Sequence, residues 1–252
     1  MMLYNYHTHT KRCNHADGED REYVEKAIQA GMKTLGFSDH APYVFPDGYY
    51  STFRMRVDEL HDYADSVKRL QKEYANDIRI LLGFELEYYP AFFKDTLALL
   101  NQVHPDYYLL GQHFVGNEID TPYAPYIQDE KVFSAYISQV LEGLKTGVFA
   151  YLAHPDLAGY HYNDALVAQE YRRLCEGVKA LNVPLEINLL GLRTHRHYPD
   201  KRLFKIAAEV GNQVVIGADA HSPCEIIQPD IEAQAKQWVD ELGLQLIEKP
   251  FI

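Results

Sequence analysis

The sequence predicts an α/β barrel, on three observations. Short apolar runs alternate with longer amphipathic segments through the whole chain, strand then helix, about seven times. No linker or low-complexity stretch interrupts the alternation, so residues 1–252 are expected to form one domain. Histidines and carboxylates recur at one place in each unit, just where an apolar run ends. A doubly wound open sheet shares the alternation, and patterning alone leaves both topologies open.

The runs at 3–7, 34–38, 79–85, 106–111, 148–153, 184–189 and 213–217 are short and continuous, as strands buried on both faces are. A weaker one lies at 244–247. Residues 19–30 read as a helix ending at Gly31, where a glycine suits the left-handed turn past a helix end. In 57–74 the residues Leu60, Tyr63, Ala64, Val67 and Leu70 recur at helical spacing and mark one buried face. Pro90 suits the first turn of a helix reaching to about 102. Further helices are expected at 129–145 before Gly147, 164–181 before Pro184, 199–210 before Gly211 and 225–242 before Gly243. The irregular stretch 42–55 is a long loop, and loops of that length often serve as lids. Its aromatics Tyr43, Phe45, Tyr49, Tyr50 and Phe53 are expected to pack it onto the barrel.

Composition excludes several classes of function. A net charge of −12 argues against a nucleic-acid partner, which needs a basic surface that releases counterions. It does not argue against a small anionic substrate, because bound metal ions reverse the local field. No apolar run approaches the roughly 20 residues that span a bilayer. The opening MMLYNYHTHT lacks the basic start and apolar stretch of a signal peptide. Cys13, Cys175 and Cys224 form no paired framework, so a reducing, cytoplasmic location is expected. The twenty tyrosines are read as packing residues with their hydroxyls satisfied.

The ends of the apolar runs carry the chemistry. His7 and His9 end the first, Asp39 and His40 the second, Glu85 and Glu87 the third. His113 follows the fourth, His154 the fifth, and Asp219 and His221 the seventh. In a parallel barrel these ends share one face, where such folds keep their active sites. Imidazole and carboxylate together suit zinc, manganese or iron, and a bridging carboxylate can hold two ions. In His7-Thr8-His9, strand alternation puts both imidazoles on one face. A lone histidine beside a strand is usually a hydrogen-bonded core or surface residue, and His61 and His104 are read that way. The agreement of several strands is what points to a metal site.

These residues resemble a known family. HTHTKRCNHADGEDREYVEKAIQAG followed by LGFSDHAP is similar to the opening of the PHP (polymerase and histidinol phosphatase) superfamily, in its histidinol-phosphatase branch. GFELEYYP, LLGQHFV, LAHPDL, LEINLLGLR and GADAHSP match later stations in the same order, over nearly the whole chain. The resemblance implies a distorted (β/α)7 TIM-like barrel and three divalent ions. His7, His9, Glu85 and Asp219 would bind the first, and Glu85 would bridge to a second completed by His113 and His154. His15, His40 and His221 would bind the third. His15 lies in a loop, where strand-end spacing does not look.

The expected reaction is hydrolysis of a phosphate monoester by a metal-bridging hydroxide, with L-histidinol phosphate, an intermediate of histidine biosynthesis, as the leading substrate. Asp17 resembles the family's acidic residue near the leaving group, for which the general-acid role is weighed against that of a loop or helix-capping aspartate. Arg193 and Arg196 are candidates for phosphate contact. Arg193 matches the family better, and an ordinary surface position is the default for Arg196, as for His195 and His197. One departure is that Tyr160 and His161 stand where related phosphatases carry basic residues after the metal histidine. That keeps open a PHP phosphoesterase acting on another small phosphorylated metabolite or nucleotide. A metal-stabilised accessory module and a related amidohydrolase rank below both.

Overall fold

The computed structural model describes residues 2–250. Among them eight parallel strands form one sheet in the order β1 to β8. These are β1 (Tyr4–Asn5), β2 (Thr34–Phe37), β3 (Arg79–Leu86), β4 (Tyr107–Leu110), β5 (Phe149–Leu152), β6 (Leu185–Asn188), β7 (Gln213–Gly217) and β8 (Gln245–Leu246). The strand order never reverses, which sets aside the doubly wound alternative, because that topology needs a switch point.

The distortion of the barrel lies at β7. Its start pairs with β8 through Gln213–Gln245 and Val214–Leu246. Beyond its end the chain turns to the first strand instead, through a parallel bridge between Thr8 and Ala220. There the His9 N–H donates to the Ala220 carbonyl at 2.9 Å. The sheet therefore curls so that the extensions of β1 and β7 meet, while β8 lies outside that closure.

The helices are α1 (Asp20–Gln29), α2 (Leu60–Glu73), α3 (Phe93–Leu100), α4 (Glu130–Leu144), α5 (Asp164–Ala180), α6 (Leu189–Arg193), α7 (Lys201–Val210) and α8 (Pro229–Leu242). The repeating face of α2 is buried as its spacing predicts, from Leu60 to Leu70. Gly211 and Gly243 take left-handed φ of 78° and 68° where the helices stop. Three expectations need correction. Pro90 sits in a turn, and α3 starts at Phe93. A 3-10 turn over Pro223–Ile226 delays α8 to Pro229. The short α6 was not expected. It follows β6 directly because the Asn188 side chain accepts the Gly191 N–H at 3.0 Å and caps it.

A large apolar cluster fills the space between sheet and helices. A second, smaller one lies among Tyr6, Leu81, Tyr107, Leu109, Tyr151, Ala153 and Val215. Strand alternation puts Leu81, Gly83 and Glu85 on one face of β3, so this second cluster forms the floor beneath the candidate site. Tyr107 is its largest piece. A Cβ at Gly36 or Gly83 would come within 2.3 or 2.4 Å of the Tyr107 ring system, so both positions are bare. The Tyr107 hydroxyl donates to the Tyr6 carbonyl at 2.7 Å, in keeping with the packing role expected of the tyrosines.

Candidate metal centre

Above that floor the strand ends converge as the sequence pattern requires. Glu85, which continues the inner face of β3, is the hub. Its Oε2 lies 3.6 Å from His7 Nε2, 3.5 Å from His9 Nε2 and 3.0 Å from His40 Nδ1. Its Oε1 lies 2.7 Å from His154 Nε2 and 3.8 Å from His113 Nε2. One carboxylate thus presents each oxygen to a different set of imidazoles. Asp219 Oδ1 approaches His9 Nε2 at 3.1 Å and His7 Nε2 at 3.6 Å. The nine candidate ligands, His7, His9, His15, His40, Glu85, His113, His154, Asp219 and His221, fall in one cluster.

The donor set fits divalent metal ions on a structural criterion. His7 Nε2, His9 Nδ1, His40 Nδ1, His154 Nδ1, Glu85 Oε2 and Asp219 Oδ1 are buried atoms without a hydrogen-bond partner among the described residues. Buried polar atoms are almost always paired, and three of these unpaired ones converge, His7 Nε2 lying 3.6 Å from both Glu85 Oε2 and Asp219 Oδ1, as the ligands of a shared ion do. His7, His9 and Glu85 place donor atoms within 4.8 Å of one another, and so do His9, His40 and His221. Burial and the neighbouring imidazoles push His40 and His221 well below the usual histidine range, which leaves their lone pairs available. Burial opposes the Glu85 charge, but the ring of imidazoles around it, with hydrogen bonds from His154 and His7, holds the carboxyl well below the usual range.

The chain is locally shaped for this. Glycine is required at two places, since a Cβ at Gly111 would stand 1.7 Å from Glu85 Oε1 and one at Gly217 1.8 Å from Glu186 Oε1. His154 and Asp219 adopt positive φ of 27° and 47°, a strained backbone that persists only where surroundings dictate it. His15, the candidate ligand in a loop, is presented by the turn Lys11–Cys13 and a left-handed Asn14. Its Nδ1 meets the Cys13 carbonyl at 2.8 Å, which leaves Nε2 facing His221 Nε2 at 3.1 Å.

Supporting residues went unassigned in the sequence reading. Glu186, fully buried on β6, lies 2.8 Å from His7 Nδ1 and accepts the His154 N–H at 2.9 Å. Asn188 donates to Glu186 at 2.8 Å and to Asp219 at 3.0 Å. The available signal was a glutamate and an asparagine two apart in an otherwise apolar run.

A cavity of about 470 Å³ opens over the cluster, walled by Phe53, Phe114, Tyr123, Leu190, Arg196 and Tyr198. Arg196 is on that wall, its Nη1 donating to the Tyr198 hydroxyl at 2.8 Å, and not merely on the outer surface. Arg193 is not on that wall but sits beside the cluster, its Nη2 2.9 Å from Glu225 Oε2 and 3.5 Å from the Asp219 carbonyl, and the same Glu225 oxygen accepts the His221 N–H at 2.7 Å. Asp17 is exposed beside the cluster, its N–H donating to the His221 carbonyl at 2.8 Å. The capping alternative for Asp17 falls, because Glu19 and Glu22 form the capping box of α1. Tyr160 does not line the cavity. It is buried, stacks on Phe133 at 5.2 Å and donates to Glu130 at 3.1 Å. Loop 42–55 is divided in the same way: Tyr43 and Phe45 pack against Tyr89, while Phe53 faces His40 at 5.6 Å.

Comparison with known proteins agrees with this geometry. The family model of the PHP domain matches residues 5–189. A Deinococcus radiodurans protein named probable histidinol-phosphatase is 30% identical over 230 residues, 87% of this chain and 86% of that one. A Schizosaccharomyces pombe protein of the same name is 26% identical over 267 residues, 94% of this chain and 86% of that one. In fold, the chain is similar to the Lactococcus lactis histidinol phosphate phosphatase solved with zinc, L-histidinol and phosphate. The TM-score is 0.72 at 18% identity, covering 98% of this chain and 96% of that one. The chain belongs to the PHP domain family.

Proposed function

We propose that the protein is a metal-dependent phosphatase that converts L-histidinol phosphate to L-histidinol and phosphate, a step of histidine biosynthesis. The observation that carries the proposal is the placement of Glu85, with imidazoles against both oxygens beneath a cavity. Three divalent ions, zinc, manganese or iron, would be held by the nine residues in the grouping given above. Such ions lower the pKa of a bound water towards neutrality and neutralise phosphoryl oxygens.

The chain's own residues do the rest. Glu85 and Asp219 hold the cluster together and cancel part of its positive charge. Arg196 supplies a guanidinium on the wall, able to donate two parallel hydrogen bonds to phosphoryl oxygens. Asp17 gives its proton to the departing alkoxide, and among the described residues no hydrogen bond ties its carboxylate elsewhere. Phe53, Phe114 and Tyr123 give the cavity an aromatic wall against which the organic part of a substrate can pack.

The relatives named above support L-histidinol phosphate as substrate. Tyr160 favours keeping a second reading, a phosphoesterase for another small phosphorylated metabolite or nucleotide, because it adds no charge to the cavity. The absence of pairing among Cys13, Cys175 and Cys224 supports a reducing, cytoplasmic setting. No helix among the described residues is long and apolar enough to cross a membrane. The test is phosphate release from L-histidinol phosphate, p-nitrophenyl phosphate and a nucleotide panel, with zinc or manganese and again after chelation. A chelator-sensitive preference for L-histidinol phosphate is the expected result. Activity on the aryl ester or a nucleotide alone moves the protein to the second reading.

A further inference from the structure

Arg54 belongs to the long loop ahead of α2, yet it is 1% exposed. Its guanidinium meets Glu87 with two parallel contacts, Nη1 to Oε2 and Nη2 to Oε1, each 3.0 Å. Nη2 also donates to Glu118, on the loop after β4, and Nη1 donates to the Ala41 carbonyl at 2.9 Å. The Phe53 ring lies over the guanidinium at 4.5 Å, and Phe53 in turn stacks on Phe114 at 5.8 Å. On the other side of Glu87, Oε1 lies 3.0 Å from His113 Nδ1. His113 therefore turns Nε2 towards Glu85 Oε1, 3.8 Å away. One guanidinium links two loops around the cavity to one imidazole of the centre.

A buried ion cluster of this kind is weak as a source of stability, since apolar residues of the same volume often serve as well. Its particular effect is directional. Glu87, held in plane by the guanidinium fork, faces His113 Nδ1 and so orients the ring with Nε2 inward.

We propose that Arg54 is a positioning residue of the metal centre, acting through Glu87 to set the angle of His113 and tying that ligand to the loops carrying Phe53 and Glu118. The proposal rests on the reading of His113 as a metal ligand. Lysine cannot replace Arg54, because an ammonium keeps the charge and loses the fork.

The experiment compares the wild type with Arg54→Lys, Arg54→Met and the double variant Arg54→Met/Glu118→Gln. The double variant removes one charge of each sign from the buried cluster, so it keeps the test open if the single Met variant does not fold. Folding is followed by circular dichroism and thermal unfolding. Zinc binding is titrated against a competing chelator, and the visible spectrum of the cobalt-loaded protein is recorded. One zinc equivalent is expected to weaken by about 10- to 100-fold in the folded Met variants, the others holding. The cobalt spectrum changes with it, and the Lys variant falls between. Folded variants that hold every zinc equivalent as the wild type does, with an unchanged cobalt spectrum, overturn the proposal. So does a uniform loss of all equivalents in step with thermal stability, which is what a merely structural role gives. A wild type that binds no divalent metal fails differently: it removes the metal-centre reading itself.

Discussion

His7 Nδ1 and Glu186 Oε1 lie 2.8 Å apart, joined across 179 residues of sequence. Both side chains are fully buried. The contact decides which nitrogen of His7 faces the centre, because a neutral imidazole that donates from Nδ1 presents its lone pair from Nε2. The same carboxylate accepts the His154 N–H, so it anchors two candidate ligands at once. Glu186→Gln is expected to weaken metal binding by about 10- to 100-fold and to lower the thermal stability of the metal-free protein as well, because both carboxylate oxygens accept from buried donors. Chelator competition measures the first, and unchanged affinity would remove the role.

Gly111 has no room for a methyl group, since its Cβ would meet Glu85 Oε1 at 1.7 Å. Gly111→Ala is expected to displace the hub and abolish metal-dependent phosphatase activity. Gly147→Ala is the control. Its φ is 74° with nothing within 4 Å, so alanine costs only the left-handed backbone, roughly 1–2 kcal/mol. If the two variants lose activity alike, the steric account of Gly111 is wrong.

Asp17 is tested by leaving-group chemistry. Asp17→Asn should slow an alkyl phosphate far more than p-nitrophenyl phosphate, whose leaving group needs little protonation. Equal losses on the two substrates would exclude proton donation.

The cavity wall separates Arg196 from Tyr160. Arg196→Met removes a charge-assisted contact of roughly 1.5–3 kcal/mol, so kcat/KM should fall by about 10- to 100-fold. Tyr160→Phe removes a hydroxyl that points at Glu130, so it should cost about 1 kcal/mol of stability and leave kcat/KM within about 2-fold. A large kinetic effect at Tyr160 would place it in the substrate path after all.

Asp156 makes a pH prediction. It is 1% exposed, and burial pushes its carboxyl up to about 7, against the opposing Asp200 N–H. The unfolded chain loses this proton near pH 4, so between about 4 and about 7 the native state binds more protons than the unfolded one. Stability from this group is therefore full below that window and falls as pH rises through it, by up to about 1.4 kcal/mol per unit. Denaturant midpoints of the metal-free protein should show a shallower decline in Asp156→Asn over that range. Parallel slopes would contradict it.

The local and periodic features of this protein were legible from the chain alone. Continuous apolar runs placed the strands within a residue or two, because a strand buried on both faces leaves no other pattern. Helix stops at Gly211 and Gly243 were readable because few other residues take that backbone. Strand polarity then put His7, His9, His40, Glu85, His113, His154, Asp219 and His221 on one rim, and the family resemblance added His15. What tertiary structure alone decided was direction. Arg196 lines the cavity while Arg193, the last residue of the short helix α6, is held by Glu225 and the Asp219 carbonyl, although the two are three residues apart. Glu186 and Arg54 were invisible as parts of the site, since a buried charge becomes meaningful only through the partner it meets, and their partners arrive from distant strands and loops. Periodicity is a property of neighbours in sequence. The orientation of a side chain depends on contacts between residues far apart in it.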